Sequence, residues 1–138
     1  MELVLDASMA LAWLFDDETD AQAEALDRAL GDSLVAAVPP LWYYEIANAI
    51  AVAVRRKRFD WQQAHAYWSC ITAMPFDIDD RDASEIELLE LSRDCGLTAY
   101  DAAYLDLARH RRCSLATRDT HLLEAAQAAG VALWTPPS

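Results

Sequence analysis

The chain has 138 residues, 54% of them apolar, and a formal net charge of −12. These values exclude a disordered chain and predict one folded domain over residues 1–138. The acidic excess argues against a protein that coats nucleic acid through surface charge. It leaves open an enzyme that meets phosphate groups through divalent metal ions.

Two further class assignments follow from what the sequence lacks. No apolar run reaches the ~18 residues that a membrane span needs, and Glu2 and Asp6 stand where a signal peptide would be basic. The three cysteines are odd in number and have no CxxC spacing, which disfavours a disulfide framework or a zinc site. We therefore expect a cytoplasmic protein with no membrane association.

Short apolar runs alternate with amphipathic stretches along the whole chain. The predicted strands are 2–5, 34–38, 76–78, 114–117 and 131–134. The predicted helices are 8–15, 18–30, 41–56, 60–73, 79–95, 96–113 and 119–129. This alternation is typical of the α/β class and predicts a three-layer α/β/α sandwich around a mainly parallel sheet of about five short strands.

Two acidic residues follow predicted strands directly. Asp6 ends the first strand, and Asp119 comes just after the fourth, two residues beyond Thr117. Ligands of an open parallel sheet bind at the carboxyl ends of its strands, so both carboxylates belong to the edge where a site is expected. Each is also a candidate N-cap of the following helix, and the sequence leaves both interpretations open.

Two more acidic residues stand among apolar neighbours. Asp101 lies in the first turn of its helix, on the face that Leu105 continues, and Thr98 three residues earlier offers a capping-box alternative. Glu45 lies within the apolar stretch LWYYEIANAI, residues 41–50, where a plain salt bridge is the alternative. If all four carboxylates face one crevice, their mutual repulsion calls for a cation.

A hard divalent ion with oxygen ligands would relieve this repulsion, so Mg²⁺ or Mn²⁺ is the expected cofactor. The three histidines show no ligand spacing among themselves, which argues against zinc or copper. The chain contains no Walker motif, no GxGxxG and no recognisable nucleophile motif. An acid-lined metal site of this kind favours phosphoryl chemistry.

Four stretches of the sequence resemble the signature blocks of PIN-domain ribonucleases, and most of all those of the VapC toxins of VapBC type II toxin–antitoxin modules. They are VLDASMALAWLFDDE (4–18), PPLWYYEIANAI (39–50), LTAYDAAYLDLA (97–108) and LATRDTHL (115–122). The resemblance covers nearly the whole chain, in order. It assigns the family's acidic quartet to the residues already singled out: Asp6, Glu45, Asp101 and Asp119.

The resemblance implies an endoribonuclease that depends on Mg²⁺ or Mn²⁺ and leaves 5′-phosphate and 3′-hydroxyl ends. Thr117 matches the small polar residue that positions water or metal, and Ser8 matches the hydroxyl after the first acid, with helix capping as its alternative. The family also implies a homodimer and a VapB-like antitoxin that covers the site with a helix or extended segment in an apolar groove.

Several residues are candidates for contacts with these partners. We expect phosphate contacts with the RNA substrate from three basic residues near the motifs, namely Arg118, Arg55 and Arg56. Three tryptophans are candidates for the antitoxin or dimer surface, with an ordinary core position as the alternative: Trp42, Trp61 and Trp68.

Three rival functions remain to be separated. A haloacid-dehalogenase-like phosphatase also begins with an aspartate after its first strand, but it needs a second acid where this chain has Ser8. A housekeeping PIN nuclease in RNA processing would share the quartet and lack an antitoxin. A non-catalytic module of the same fold would use the domain only to bind a partner.

Overall fold

The computed structural model describes residues 1–15, 17–80 and 85–136. Its strands are β1 (Glu2–Leu5), β2 (Val35–Val38), β3 (Asp77–Ile78) and β4 (Ser114–Ala116). The helices in these ranges are α1 (Ala7–Leu14), α2 (Ala21–Asp32), α3 (Leu41–Arg55), α4 (Trp61–Thr72), α5 (Glu85–Cys95), α6 (Ala99–Arg111) and α7 (Thr120–Ala128). This order confirms the predicted α/β class.

The four strands form one parallel sheet in the order β3-β2-β1-β4. Leu3 of β1 pairs with Ala36 on one side and with Ser114 on the other. Leu3, Val4 and Leu5 have no exposed surface, because helices cover the sheet on both faces as the continuous apolar run predicts. The carboxyl ends of β1 and β4 are therefore neighbours at one edge of the sheet.

The predicted fifth strand at 131–134 is reduced to an isolated parallel bridge between Leu115 and Leu133. The Leu115 amide donates to the Ala132 carbonyl at 2.9 Å, and the Trp134 amide donates to the Leu115 carbonyl at 2.9 Å. Pro136 has no amide hydrogen to donate, so the pairing does not extend into a full strand.

Two predicted helix boundaries differ from the structure. α2 begins after its N-cap Asp20 and not at residue 18, because the Asp20 carboxylate accepts the Ala23 amide at 3.0 Å, and the helix then runs through Gly31. Asp79 was predicted to begin a helix but is not helical. Its amide donates to the Val38 carbonyl at 2.9 Å, which extends the pairing of β2 with β3. Residues 81–84 of that predicted helix lie outside the described ranges.

The core includes one face each of α3 and α4. Trp42, Ile46 and Ile50 of α3 are buried as the helical spacing predicts. On α4 Ile71 is buried, whereas Trp61 is 63% exposed. In the described part of the chain, no helix is both long enough and apolar enough to cross a lipid bilayer.

Candidate active site

One cleft is lined by all four of the carboxylates singled out in the sequence. It has a volume of about 290 Å³, and its lining includes Asp6, Glu45, Asp101 and Asp119. Two of them follow strands β1 and β4, one lies in the second turn of α3 and one in the first turn of α6. Elements far apart in sequence thus bring the quartet to one edge of the sheet, where parallel folds bind ligands.

Asp6 is the most buried member of the quartet, with 4% of its surface exposed. Its Oδ2 accepts hydrogen bonds from the Ser8 hydroxyl at 2.9 Å and from the Thr117 hydroxyl. Its Oδ1 accepts the Ser8 amide at 3.2 Å, which makes Asp6 the N-cap of α1. The capping role and the place in the cleft are therefore compatible, and these donors offset part of the cost of burying the charge.

The hydroxyls of Ser8 and Thr117 join the two loops that carry Asp6 and Asp119. Ser8 Oγ accepts the amide of Arg118 at 2.9 Å, and Thr117 Oγ1 accepts the amide of Asp119 at 3.0 Å. Asp119 in turn caps α7 by accepting the Leu122 amide at 3.0 Å. The loop after β1 and the loop after β4 are consequently fixed to each other by hydrogen bonds that run through two short side chains.

Glu45 is bound to a residue that the sequence analysis missed. Tyr104 Oη donates to Glu45 Oε1 at 2.5 Å, and Tyr104 has no exposed surface. The available signal was helical spacing, because Tyr104 follows Asp101 by three residues and so lies on the same side of α6. The salt-bridge alternative for Glu45 finds no support, since none of the described basic side chains pairs with it.

The Asp101 carboxylate lacks the backbone half of the capping box, although the Thr98 side chain lies close enough to it to oppose the rise of its pKa. The Thr98 hydroxyl accepts the Asp101 amide at 3.1 Å and caps α6 as predicted. The reciprocal bond, from the Thr98 amide to the Asp101 carboxylate, is not among the hydrogen bonds of the described residues. The carboxylate is therefore available to the cleft.

Burial and mutual repulsion raise the pKa of three cleft carboxyls. For Asp6 the main cause is burial, opposed by the Thr117 and Ser8 hydrogen bonds, with repulsion from Asp119 as a smaller cause. Burial also raises the pKa of Glu45, which the Tyr104 hydrogen bond opposes. For Asp101 burial comes first, followed by repulsion from Asp119 and Asp6. The charged cleft is therefore under electrostatic strain that a cation would relieve.

The chemistry of this donor set fits a hard divalent ion. Across residues 1–15, 17–80 and 85–136, no salt bridge reaches any of the four carboxylates. The cleft offers carboxylate and hydroxyl oxygens, which suit Mg²⁺ or Mn²⁺ and not a soft metal.

A tighter group of possible ligands lies elsewhere, between α5 and α6. The ligand atoms of Glu87, Asp106 and His110 all lie within 4.8 Å of one another. His110 Nε2 is 3.7 Å from Asp106 Oδ1 and 3.9 Å from Glu87 Oε2, which is ion-pair geometry. The sequence analysis compared the histidines only with one another and missed this i,i+4 pair. The quartet is more widely spaced, as expected for four repelling charges.

The predicted RNA-contacting arginines do not all lie near the cleft. The Arg118 guanidinium turns to Asp20, with Nη2 2.5 Å from Asp20 Oδ1, and only the backbone amide of Arg118 joins the Ser8 network. Arg55 and Arg56 are exposed at the end of α3. Ten residues of helix place Arg55 about 15 Å along the axis from Glu45. A role in RNA binding stays a prediction for all three.

An apolar groove of about 330 Å³ lies between α3 and α4. Its walls include Ile50 and Ala51 of α3, and Trp61 and Trp68 of α4. Trp42 is fully buried, so its interpretation as a surface residue is wrong and the core alternative is correct. The groove and the cleft both involve α3 but share no lining residue. Glu45, Asn48 and Ala49 line the cleft, whereas the α3 residues of the groove lie about half a helical turn away, on the opposite face of the helix.

Comparisons with known proteins agree with this architecture. A family model described as PIN domain matches residues 3–128. The crystal structure of PAE2754 from Pyrobaculum aerophilum is similar, with a TM-score of 0.71 and 27% identity over 91% of this chain and 79% of that one. A comparison with curated proteins gives no match.

Two further crystal structures share the fold. VapBC2 from Rickettsia felis, bound to a DNA fragment from their promoter, has a TM-score of 0.70 and 14% identity over 97% of this chain and 98% of that one. FitAcB from Neisseria gonorrhoeae has a TM-score of 0.66 and 17% identity over 97% of both chains. At these identities the likeness shows the fold alone.

Proposed function

The chain belongs to the PIN domain family, and on that premise we propose that it is a metal-dependent endoribonuclease, the toxin of a type II toxin–antitoxin module. The observation that carries the proposal is the cleft that Asp6, Glu45, Asp101 and Asp119 line together, where no described cation pairs with them. A phosphatase of the haloacid-dehalogenase type loses support, because the family match covers 3–128.

The quartet would hold one or two Mg²⁺ or Mn²⁺ ions. When bound, such ions lower the pKa of a water and neutralise charge on the phosphate. Ser8 and Thr117 keep the Asp6 carboxylate in place by donating to its Oδ2. Thr117 also orients the loop that carries Asp119 by accepting its amide. The chain's own contribution is thus a set of oxygen donors fixed before the substrate arrives.

The proposed reaction is hydrolysis of an RNA phosphodiester. Attack of water on phosphorus breaks the bond to the 3′ oxygen, which leaves with a proton as the 3′-hydroxyl, and the other fragment keeps the 5′-phosphate. We expect the RNA backbone to approach the cleft from its open side. With a net charge of −12, the rest of the protein surface offers little electrostatic attraction for the RNA phosphates.

The proposal is tested by incubating the purified protein with a structured RNA in Mn²⁺, in Mg²⁺ and in EDTA. We expect cleavage only with a divalent ion, and 5′-phosphate ends by end-labelling. Asp101→Asn should abolish cleavage, whereas Asp94→Asn, an exposed acid on α5 that pairs with Arg93, should leave it unchanged. Cleavage that persists in Asp101→Asn would refute the assignment.

The proposed partner is a cytoplasmic antitoxin that lays an apolar helix in the groove between α3 and α4. The support is Trp61, which is 63% exposed at the groove although a tryptophan of this size is usually well buried. This groove lies on the face of α3 opposite Glu45, so the antitoxin would need a further segment that passes around α3 to cover the cleft. A homodimer is part of the same proposal.

The groove is tested with the protein of the short reading frame expected next to this gene. We expect Trp61→Ser to weaken the complex at least about tenfold and to leave RNA cleavage unchanged. Leu89→Ser, a change at an equally exposed apolar residue of α5 outside the groove lining, is the matched control. An unchanged affinity of Trp61→Ser would move the partner to another surface, and the absence of any such reading frame would favour a housekeeping nuclease.

A further inference from the structure

Tyr104 connects the core of the protein to the quartet. It is completely buried on α6, and its single polar atom, Oη, donates to Glu45 Oε1 at 2.5 Å. The two residues are 59 positions apart in sequence, so the contact joins α6 to α3. A buried tyrosine hydroxyl needs partners, and here it donates to a carboxylate of the cleft and has the backbone amide of Ala7 as a second partner.

Glu45 needs such a restraint more than the other three acids do. Asp6 and Asp119 are held by the helices that they cap, and Asp101 has a short side chain. Glu45 has a longer side chain, is only half-buried, and is repelled by Asp6 and Asp101. Without a fixed donor, rotation about its side-chain bonds would move the carboxylate away from its like-charged neighbours into solvent.

The geometry of Tyr104 suits this task. Its ring has no exposed surface, so packing fixes the position of the hydroxyl. A hydrogen bond to a charged group is among the stronger ones in proteins. It also uses acceptor capacity on Oε1 only and leaves Oε2 available to a ligand.

We propose that Tyr104 is a positioning residue, which holds Glu45 in the cleft against repulsion so that its carboxylate is ready to bind a divalent ion. This inference rests on the proposed metal-dependent function. Tyr104 acts through Glu45 and touches neither ion nor substrate. The competing explanation is that the bond only satisfies a buried hydroxyl, in which case its loss would lower stability and leave metal affinity unchanged.

The first measurement is Mn²⁺ binding by electron paramagnetic resonance in wild type and in Tyr104→Phe. Loss of a group that orients a metal ligand typically lowers metal affinity about 10- to 100-fold, and we expect a loss in that range. Tyr67→Phe is the matched control. Its ring packs against Phe15 and Phe59 away from the cleft, so its Mn²⁺ affinity should equal that of wild type.

A second variant guards against a failure of Tyr104→Phe to fold. Glu45→Asp keeps the charge and the tyrosine but retracts the carboxylate by one methylene from the position that Tyr104 fixes. We expect it to lose Mn²⁺ affinity in the same range. If it binds as tightly as wild type, the fixed position is unnecessary and the proposal is wrong.

The third measurement needs no metal. Unfolding of Tyr104→Phe, Glu45→Ala and the double variant in EDTA gives the coupling between the two side chains, expected to be at least about tenfold in the equilibrium constant. If the losses in unfolding free energy of the two single variants simply add in the double variant, the proposal is wrong. It is also wrong if the two side chains are coupled but Tyr104→Phe binds Mn²⁺ as tightly as wild type. A wild type that binds no Mn²⁺ would instead refute the proposed function, and the positioning role with it.

Discussion

Thr117 offers the sharpest test of how the cleft is held together. It is 5% exposed, donates its hydroxyl to Asp6 Oδ2, and accepts the Asp119 amide at 3.0 Å. Replacing Thr117 by valine keeps the shape of the side chain and removes both bonds. We expect Thr117→Val to fold, to be less stable, and to lose most of its RNA cleavage.

The size of the loss follows from the two bonds. A hydrogen bond to a buried carboxylate contributes about 1.5–3 kcal/mol, and a backbone amide left without its acceptor adds about 0.5–1 kcal/mol. For 138 residues the entropy of unfolding is about 290 cal/mol/K. A loss of about 2–4 kcal/mol in the free energy of unfolding therefore lowers the melting temperature by about 7–14 °C.

The loss should also depend on pH, because the Thr117 hydroxyl favours the ionised form of Asp6 and lowers its pKa against the effect of burial. In Thr117→Val the folded-state pKa of Asp6 is higher still, so the folded variant keeps its proton to a higher pH. The stability difference from wild type is consequently small where Asp6 is protonated in both proteins. It grows as the pH rises through the two folded-state pKa values.

The assay is thermal unfolding followed by circular dichroism in EDTA, over a series of pH values from about 3 to about 8. Thr72→Val is the control, because its exposed hydroxyl donates to the Trp68 and Ser69 carbonyls of its own helix, and its loss should shift melting by about 2 °C or less. Thr117→Ser should recover most of the difference. A Thr117→Val protein that melts within about 2 °C of wild type at pH 8, or whose deficit stays the same down to the lowest pH of the series, would refute the reasoning.

Three further results are expected. About 1 mM Mn²⁺, at a Kd of about 10 μM, should raise the melting temperature by about 9 °C, and a curve indifferent to Mn²⁺ and EDTA would count against a shared site. In EDTA, Asp101→Asn should be more stable than wild type at about pH 8 and lose that advantage near pH 4, because the raised folded-state pKa of Asp101 makes its ionisation a cost to folding that is absent below the unfolded-state pKa and grows as the pH rises towards the folded-state value; equal stability at both pH values contradicts this. Arg111→Met should cost about 1–3 kcal/mol by urea unfolding, since its guanidinium joins three carboxylates at 2.9 Å, whereas Arg93→Met, whose one ion pair is exposed, should leave the urea midpoint unchanged.

Local pattern predicts most of the fold. The strand and helix order through α7 matches the expectation because apolar periodicity and capping residues act within a few neighbours, as with Thr98 at the start of α6. The incorrect predictions lie where a contact with a distant part of the chain determines the local structure. The segment at 131–134 has one bridge to Leu115 in place of a strand, and Asp79 pairs with β2 instead of starting a helix.

The candidate site likewise has one part that the sequence predicts and another that depends on distant contacts. Asp6, Asp101 and Asp119 stand out in the sequence because each is an acid at a strand end or helix start next to apolar residues. That they line one cleft, and that Tyr104 binds Glu45, depends on the order of the strands and on how α3 and α6 pack.

The sequence by itself determined which groups could hold a metal, because residue type fixes charge and donor chemistry. Only the tertiary structure decided that Thr117 and Tyr104 restrain them, because these hydroxyls reach Asp6 and Glu45 across 111 and 59 positions of chain. Such distances carry no local signal. Burial of the sheet and the helices around it brings these hydroxyls within hydrogen-bond reach of the charges.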